Sequence, residues 1–391
     1  MSDTLSFLKK QVKENIQTYA ILIALVFIWV LFTILTDGLY VGSQNFSNLF
    51  RQMTITSFLA IGMVLIIVTG NIDLSVGKVA GFVSVVAAKF QDDIWFQFLP
   101  DNPVLTTILT IIIGIAVGTL FEMVQGYLVA YLHVPSFIVT LGGSWILNGA
   151  ILVVTKGQTI AANQPLFSFI AQGYLKPTLG WILAAVIIIV LFLSMIQKRR
   201  NRVKYGFEPS PLILDIIKII FYSILIFVYV FIVNKFKGVQ FPVFLLAIAV
   251  VVMSYISSNT RIGRYAYSIG GNREAARLSG VNIKKNVFIV FVMMGILCGV
   301  GGVVLASYVG YGTIAAGQGY ELDAIASCIL GGTSTLGGVG TIFGAIIGAL
   351  IMASLTSGLQ MMNVTAAWQY ILKGLVLVLA VLADVYLKKK K

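Results

Sequence analysis

Apolar runs of about twenty residues recur along the whole chain, and they restrict its fold more than any other feature. A helix that crosses the roughly 30 Å apolar core of a bilayer needs about 20 apolar residues. The predicted fold is therefore all-α, a polytopic transmembrane helical bundle. We predict twelve spans, over residues 18–36, 53–69, 74–90, 104–130, 136–155, 179–196, 213–233, 241–257, 286–306, 321–336, 338–357 and 367–387. The short spans at 53–69, 74–90 and 321–336 are candidates for half-helices or broken helices.

The amino-acid composition agrees with a membrane protein. Only 10% of the residues are charged, whereas a soluble domain carries roughly 25% because its surface faces water. The chain has one histidine, His133, and two cysteines, Cys298 and Cys328, in separate apolar runs. This set offers no metal-ligand cluster and no disulfide framework. We therefore expect no metal, no cofactor and no catalytic residue, and an intramembrane enzyme is a poor explanation.

Basic residues are distributed unevenly between the two sides of the predicted bundle. With the N-terminus inside, the inner segments hold nineteen Lys and Arg residues and the outer segments hold six. Because cytoplasmic loops collect basic residues, we predict an even number of spans with both termini in the cytoplasm. The net charge of +13 reflects this topology, and we expect no nucleic acid as a partner.

Two apolar runs are interrupted by glycine and polar residues. Irregular backbone at membrane depth is tolerated where it lines a wet cavity or is buried in protein, and transporters use broken helices to direct backbone groups at a solute. We predict a substrate path shaped by these residues: Gly70, Asn71, Asp73, Ser75 and Gly77 in the first interruption, and Gly331, Gly332, Thr333, Ser334, Gly337 and Gly338 in the second. The simpler alternative is two tight turns between ordinary spans, with Asp73 as a helix cap.

Each half of the chain holds one interruption. This distribution predicts two structural repeats, at about residues 45–155 and 258–387, within a single transmembrane domain over residues 1–391.

The polar loop 259–285 is predicted to hold a short helix at the membrane surface. Asn272 is a candidate cap and Gly280 a candidate stop for helix-forming residues between them. The glycine-lysine sequence at 77–78 lacks the spacing of a phosphate loop, so uphill transport would need work from a partner. We predict a coupling surface on which that partner docks, formed by Arg264, Gly271, Asn272, Glu274, Ala275, Ala276, Arg277, Leu278 and Gly280. Alternatively, the basic residues here only set topology and contact anionic lipid.

Several long motifs resemble the permeases of bacterial ABC importers of the ribose, xylose and galactose type. The motifs are GNIDLSVG at 70–77, TLGGSWILNGAILVVTKGQTI at 140–160, RIGRYAYSIGGNREAARLSGVN at 261–282, ELDAIASCILGGTSTLGGVGTIFGAIIGALI at 321–351 and LKGLVLVLAVLAD at 372–384. The resemblance covers most of residues 45–160 and 240–387.

The resemblance implies a subunit that imports a monosaccharide, a pentose or hexose with xylose favoured, across the bacterial inner membrane by alternating access. It also implies an ABC ATPase subunit, an extracytoplasmic sugar-binding protein and a second permease copy as partners, in a setting of membrane lipid. By the same resemblance, the stretch 261–282 faces the ATPase, so the coupling surface is an ATPase-coupling surface. Two alternatives stay open. The same architecture could carry nucleosides, a signalling sugar or branched amino acids, or the chain could be a facilitator or secondary carrier that needs no ATPase.

The sequence departs from the family pattern in three ways. Residues 179–240 add a helical pair, which is similar to the longer xylose-type permeases. Asn71 replaces a more usual glycine, and Glu122 is an acid where an apolar or small residue is expected. A charge inside a span is costly unless it is paired or hydrated, so Glu122 could serve structure or function.

Other single residues also allow two interpretations. Lys373 could extend from its span to the outer interface. Glu321 and Asp323 open a helix, where acids complement the positive end of the dipole, or they could contact the binding protein. Trp145 fits an interfacial belt or a role in stacking on a sugar.

Overall fold

The computed structural model describes residues 16–99, 101–207 and 212–389. The basic N-terminal segment 1–15 and residues 390–391, on which part of the predicted charge asymmetry rests, lie outside these ranges. The helices of six residues or more are α1 (Ile16–Leu35), α2 (Ser43–Val68), α3 (Val76–Lys89), α4 (Pro103–Ala130), α5 (Ser136–Thr155), α6 (Pro165–Gln172), α7 (Pro177–Lys204), α8 (Leu212–Asn234), α9 (Phe241–Asn259), α10 (Arg261–Gly271), α11 (Arg273–Leu278), α12 (Ile283–Val309), α13 (Tyr320–Leu330), α14 (Ile342–Met361) and α15 (Ala366–Lys389). Two short strands, β1 (Ile160–Ala161) and β2 (Tyr311–Gly312), pair antiparallel.

Each predicted span corresponds to one of these helices, which confirms the all-α polytopic bundle. Within the described residues, eight helices are long and apolar enough to cross a membrane, and α1 and α15 contain shorter apolar stretches. The span predicted at 53–69 is no half-helix, because α2 is 26 residues long. The helix predicted at 321–336 ends earlier, at Leu330, where Gly331 caps it.

Helix α2 forms the centre of the bundle. Its side chains Leu59, Ile61 and Met63 are fully buried and belong to the main apolar cluster. Beside it, α4 and α12 pack closely through glycines, since a methyl group built on Gly118 would lie 2.7 Å from the carbonyl oxygen of Gly295. Small residues let helix backbones approach in this way inside a membrane.

Helices α7 and α8 occupy the predicted extra segment 179–240 and lie at the periphery. Ala184, Val230 and Val233 are buried on their inner face, while many of their remaining apolar side chains are exposed. Arg199 and Asp215 join the two helices by an ion pair of 2.6 Å.

The long helices alternate in direction, and we name the end of the bundle that holds α10 and α11 the basic end. Helices α2, α4, α7, α9 and α15 end there, whereas α1, α5, α8, α12 and α14 begin there. The two described termini, at residues 16 and 389, therefore lie at the same end.

Helices α3 and α13 cross only part of the bundle. Their 14 and 11 residues give lengths of about 21 Å and 16 Å at 1.5 Å per residue. They run in opposite directions, and their first turns meet: a methyl group built on Gly77 would lie 2.9 Å from the backbone nitrogen of Glu321. Two half-helices thus point their N-termini at each other near the middle of the bundle.

Candidate functional site

The first predicted interruption leads from the basic end to the start of α3. Gly70 has a φ of 79°, a left-handed conformation that favours glycine. The freed backbone N–H groups are satisfied by α5, because Leu74 N donates to Thr140 Oγ1 at 3.0 Å and Ile72 N to Ser136 Oγ at 3.3 Å. Asn71 is buried and donates to Thr69 Oγ1 at 3.0 Å. The helical ladder is therefore broken here, with new partners for the backbone.

A buried polar cluster holds the start of α3 against α4. Asp73 Oδ1 accepts hydrogen bonds from the backbone N–H and the hydroxyl of Ser75, at 2.8 Å and 2.7 Å. Gln125 donates to Ser75 Oγ at 2.8 Å, and Glu122 Oε1 lies 3.4 Å from the same hydroxyl. Asp73 and Glu122 are both fully buried. Asp73 thus holds the turn that precedes the N-cap Ser75 of α3, and Glu122, the departure noted in the sequence, belongs to the same cluster.

The second predicted interruption lies at the basic end, between α13 and α14. Gly331 packs against Gly344 in the first turn of α14, while Gly332, Gly337 and Gly338 have φ values of 86°, 88° and 73°. Thr333 and Ser334 are buried, and Ser334 N donates to Val339 O at 2.8 Å. These residues form a compact loop that the structure keeps apart from Asp73 and Ser75.

The irregular backbone opposite the first interruption is residues 313–319, which run from β2 to the start of α13. Gly317 and Gly319 have φ values of 72° and 82°, and Gly317 packs against Gly77 and Gly81 of α3. We did not predict this segment, although the four glycines between residues 310 and 319 carried the signal.

One backbone junction joins both interruptions to α10. Gly338 N donates to Val68 O at 2.9 Å, and Gly270 packs directly on both residues, with no room for a side chain. Tyr267 of α10 donates its hydroxyl hydrogen to Gly340 O at 2.7 Å. We name Val68, Gly270 and Gly338 the backbone junction. Because these contacts are made by backbone atoms, a displacement of α10 would directly move α2 and the loop before α14.

The predicted coupling residues form a surface helix with its caps. Asn272 accepts a hydrogen bond from Ala275 N at 2.9 Å, and Gly280 has a φ of 79°, so the predicted start and stop agree with α11. Gly271 and Ala275 are exposed, and Leu278 is 77% exposed whereas Ala276 is 5% exposed. Arg264, Glu274 and Arg277 also face outward. Arg264 donates a hydrogen bond to Asn259 O, and Glu274 forms an ion pair with Arg277.

A cavity of about 500 Å³ opens between α2, α13, α14 and α15. This size is that of small-molecule sites, which are usually apolar with a few placed polar groups. Lys373 reaches into it and forms an ion pair with Asp323 at 2.8 Å, so its side chain does not extend to an interface. The other polar residues of the wall include Gln52, Thr56, Gln318, Glu321, Gln369 and Tyr370.

The sequence identified the acids and the lysine of this cavity as unusual, but it did not predict that they lie in one cavity. The glutamines of the wall were not predicted at all. A glutamine inside an apolar span, such as Gln369 in the span predicted at 367–387, is a signal that could have identified them. The cavity wall combines apolar side chains with polar groups and an ion pair, and the polar groups can exchange hydrogen bonds with a solute that is rich in hydroxyl groups.

The bundle has two opposed half-helices, broken backbone in its interior and a cavity with polar side chains. This is the architecture of a membrane-spanning transport permease. The chain belongs to the family described as branched-chain amino acid transport system / permease component, which matches residues 45–381.

Individual relatives are named for sugars. The chain is 42% identical to the xylose transport system permease protein XylH of Haemophilus influenzae over 377 residues, which cover 96% of this chain and 98% of the relative. It is 39% identical to XylH of Escherichia coli, with 96% and 93% covered. It is 31% identical to the ribose import permease protein RbsC of Escherichia coli, with 87% and 85% covered. No solved structure matches the chain.

These comparisons confirm the resemblance to ribose- and xylose-type ABC permeases. The chain is a multi-pass permease subunit of the inner membrane and a transport protein rather than an enzyme.

Proposed function

We propose that this chain is the membrane subunit of an ATP-driven importer of a monosaccharide, with xylose as its first candidate substrate. The relatives with 42% and 39% identity are both named for xylose, and the relative named for ribose is more distant at 31%. The cavity beside Asp323 and Lys373 supports a hydroxylated solute, because its amide and hydroxyl groups can both donate and accept hydrogen bonds.

The proposed orientation places the basic end in the cytoplasm. The arginines of α10 and α11, at positions 261, 264, 273 and 277, lie there together with the basic last turn of α7. Loops rich in Lys and Arg stay on the cytoplasmic side. A partner ATPase would then dock on α11, and an extracytoplasmic sugar-binding protein would dock at the opposite end.

The backbone junction is the observation that carries this proposal. An ATPase that moves α11 moves α10, since only Asn272 separates the two helices. Gly270 rests on Val68 and Gly338, so the motion would pass to both halves of the chain at once. Rocking of two halves around a central site is the alternating-access cycle of transporters. The predicted path residues from Gly70 to Gly77 lie directly beyond this junction.

A second copy of the chain would complete the importer as a homodimer, with lipid around it. The polar crevices that open on the surface of one monomer agree with a two-fold assembly, and most oligomers of identical chains are two-fold symmetric.

Reconstitution tests the proposal. The chain would be placed in proteoliposomes with its partner ATPase and sugar-binding protein, and uptake of labelled xylose, ribose and leucine would be measured with and without ATP. We expect uptake of xylose that requires ATP and both partners. Leucine uptake with no sugar uptake would show that the substrate is an amino acid and not a monosaccharide. Xylose uptake without the ATPase would favour a facilitator.

A further inference from the structure

An open crevice of about 380 Å³ lies beside α3 and α5, outside the cavity described above. Its lining consists of Lys78, Ser144, Trp145, Asn148, Ile314 and Gln318. An indole, two amides, a hydroxyl and an ammonium group thus share one opening.

The depth of Trp145 is unusual for a tryptophan in a membrane helix. It is 72% exposed and lies halfway along the 20 residues of α5, about 14 Å from the start of the helix at 1.5 Å per residue. Tryptophans of membrane helices concentrate at the two interfaces. The position of Trp145 therefore disagrees with the interfacial belt that the sequence allowed. Its exposed ring must contact something other than the membrane interface.

The polar neighbours of Trp145 disfavour lipid as that partner. Lys78 lies in the first turn of α3, which begins near the middle of the bundle, and Asn148 lies one turn beyond Trp145 on α5. Ionisable side chains at such depth face a water-filled cavity or a protein partner, because exposure to hydrocarbon is costly. We therefore expect the crevice to be water-filled, at the depth where a transported solute would pass.

Gln318 connects the crevice to the cavity of Asp323 and Lys373, because it lines both. The two openings meet at the segment 313–319, where the half-helices point their N-termini at each other. Glu321, on the other side of Gly77, has a buried Oε2 without a hydrogen-bond partner among the described residues. A neutral solute that enters here would meet free polar groups from both openings.

We propose that this crevice is a sugar-contact site of the transport path. The Trp145 ring stacks on an apolar C–H face of a monosaccharide, and Asn148, Ser144 and Gln318 exchange hydrogen bonds with its hydroxyl groups. The site rests on the proposed function, which it extends by assigning residues that contact the sugar. Aromatic rings supply a large apolar face of defined geometry, and amides both donate and accept hydrogen bonds.

Cysteine accessibility tests whether the crevice is wet and whether a sugar enters it. Asn148→Cys would be compared with Ile146→Cys, whose parent side chain is 67% exposed on the same helix and does not line the crevice. The native Cys298 and Cys328 are buried and should give little background. In the assembled transporter, a charged methanethiosulfonate reagent should modify Asn148→Cys about ten-fold faster than Ile146→Cys, since the bilayer core repels charge. Xylose should slow the reaction of Asn148→Cys alone.

Equal, slow modification of both variants would show that the crevice faces lipid or protein, and rapid modification without protection by xylose would show that no sugar binds there. Either result overturns the proposal.

Substitution of the ring gives a second, independent test. In the assembled transporter, Trp145→Ala should lower ATP-driven xylose uptake about ten-fold, the scale of one lost aromatic contact. Trp145→Phe should retain most of the uptake and Ile146→Ala all of it. ATPase binding and thermal stability should be unchanged in all three variants. Equal uptake by Trp145→Ala and Ile146→Ala would overturn the site while the proposed function stands, whereas a wild-type transporter that takes up no sugar would overturn the proposed function itself.

Discussion

The backbone N–H of Gly338 donates a hydrogen bond of 2.9 Å to the carbonyl oxygen of Val68. The bond joins the end of α2 to the loop before α14, two segments far apart in the sequence. Gly270 fills the space beside this bond so closely that a methyl group built on it would collide with the same carbonyl oxygen. The surface helix α10, which leads directly into α11, is thereby in backbone contact with the interior of the bundle.

Gly270→Ala should therefore impair transport, and Gly142→Ala on α5 provides a control. The added methyl group at residue 270 must displace backbone, and overpacking of this kind costs about 1–3 kcal/mol. A methyl group on Gly142, an exposed glycine outside the coupling surface, would have no neighbouring atom within 4 Å, so its substitution should be neutral. ATP-driven uptake and the thermal unfolding midpoint in detergent are the measurements. Equal behaviour of the two variants would show that the backbone junction tolerates displacement.

The two faces of α11 should respond differently to charge. Leu278→Glu places a carboxylate in the proposed docking surface, so it should abolish binding of the ATPase. Because the position is exposed, the unfolding midpoint should stay constant. Ala276→Glu buries the same group against the bundle, where an unpaired charge is expensive, and it should destabilise the permease itself. Co-purification with the ATPase and thermal unfolding separate these effects.

Val203→Glu is the control, because Val203 is 63% exposed at the same end of the bundle on α7. Should Leu278→Glu bind the ATPase as well as Val203→Glu does, the coupling surface lies elsewhere.

The sequence predicts single helices better than it predicts their meeting points. The span predicted at 136–155 agrees with α5 at both bounds, because Pro135 precedes the helix and Lys156 and Gly157 follow it in left-handed conformations. The ion pair of Asp323 with Lys373 joins residues fifty positions apart, and only the packing of α13 against α15 brings them together. Local signals determine where a helix begins, whereas a cavity depends on several helices at once.

The ion pair of Lys373 with Asp323 should contribute to both stability and transport. Its side chains are 21% and 16% exposed, and a hydrogen bond to a charged group contributes about 2 kcal/mol. Lys373→Met should lower the unfolding midpoint and the rate of uptake, because it leaves the Asp323 carboxylate without this partner. The double variant Lys373→Met with Asp323→Asn should recover part of the midpoint. No recovery in the double variant would contradict a pairwise interaction.

The close packing of α4 on α12 makes a prediction about two neighbouring glycines. A methyl group on Gly299 would meet the backbone of α4, 2.5 Å from the Cα of Ile115, whereas one on Gly301 would find ordinary contacts with Leu59 at 3.5 Å. Gly299→Ala should destabilise the protein, and Gly301→Ala should stabilise it by up to about 1 kcal/mol because alanine favours helices over glycine. Thermal unfolding of both variants in one detergent measures the difference, and the reverse order would refute close α4–α12 packing.

The two acids of the polar cluster at the start of α3 should respond differently to substitution. Asp73 Oδ1 accepts two hydrogen bonds from Ser75, so Asp73→Asn keeps an acceptor while Asp73→Ala removes it, at a cost of about 1 kcal/mol for each lost hydrogen bond. Glu122 Oε1 lies 3.4 Å from both Ser75 Oγ and Gln125 Nε2, and the carboxyl groups of Glu122 and Asp73 are hydrogen-bonded to each other. Because two buried carboxyl groups in contact are costly when both are ionised, Glu122→Gln removes one ionisable group and keeps a donor for Asp73, so it should leave uptake intact and raise the unfolding midpoint. The ranking of unfolding midpoints should be Glu122→Gln, then wild type, then Asp73→Asn, with Asp73→Ala lowest. A loss of uptake in Glu122→Gln at unchanged stability would instead assign the Glu122 carboxyl group a direct part in transport.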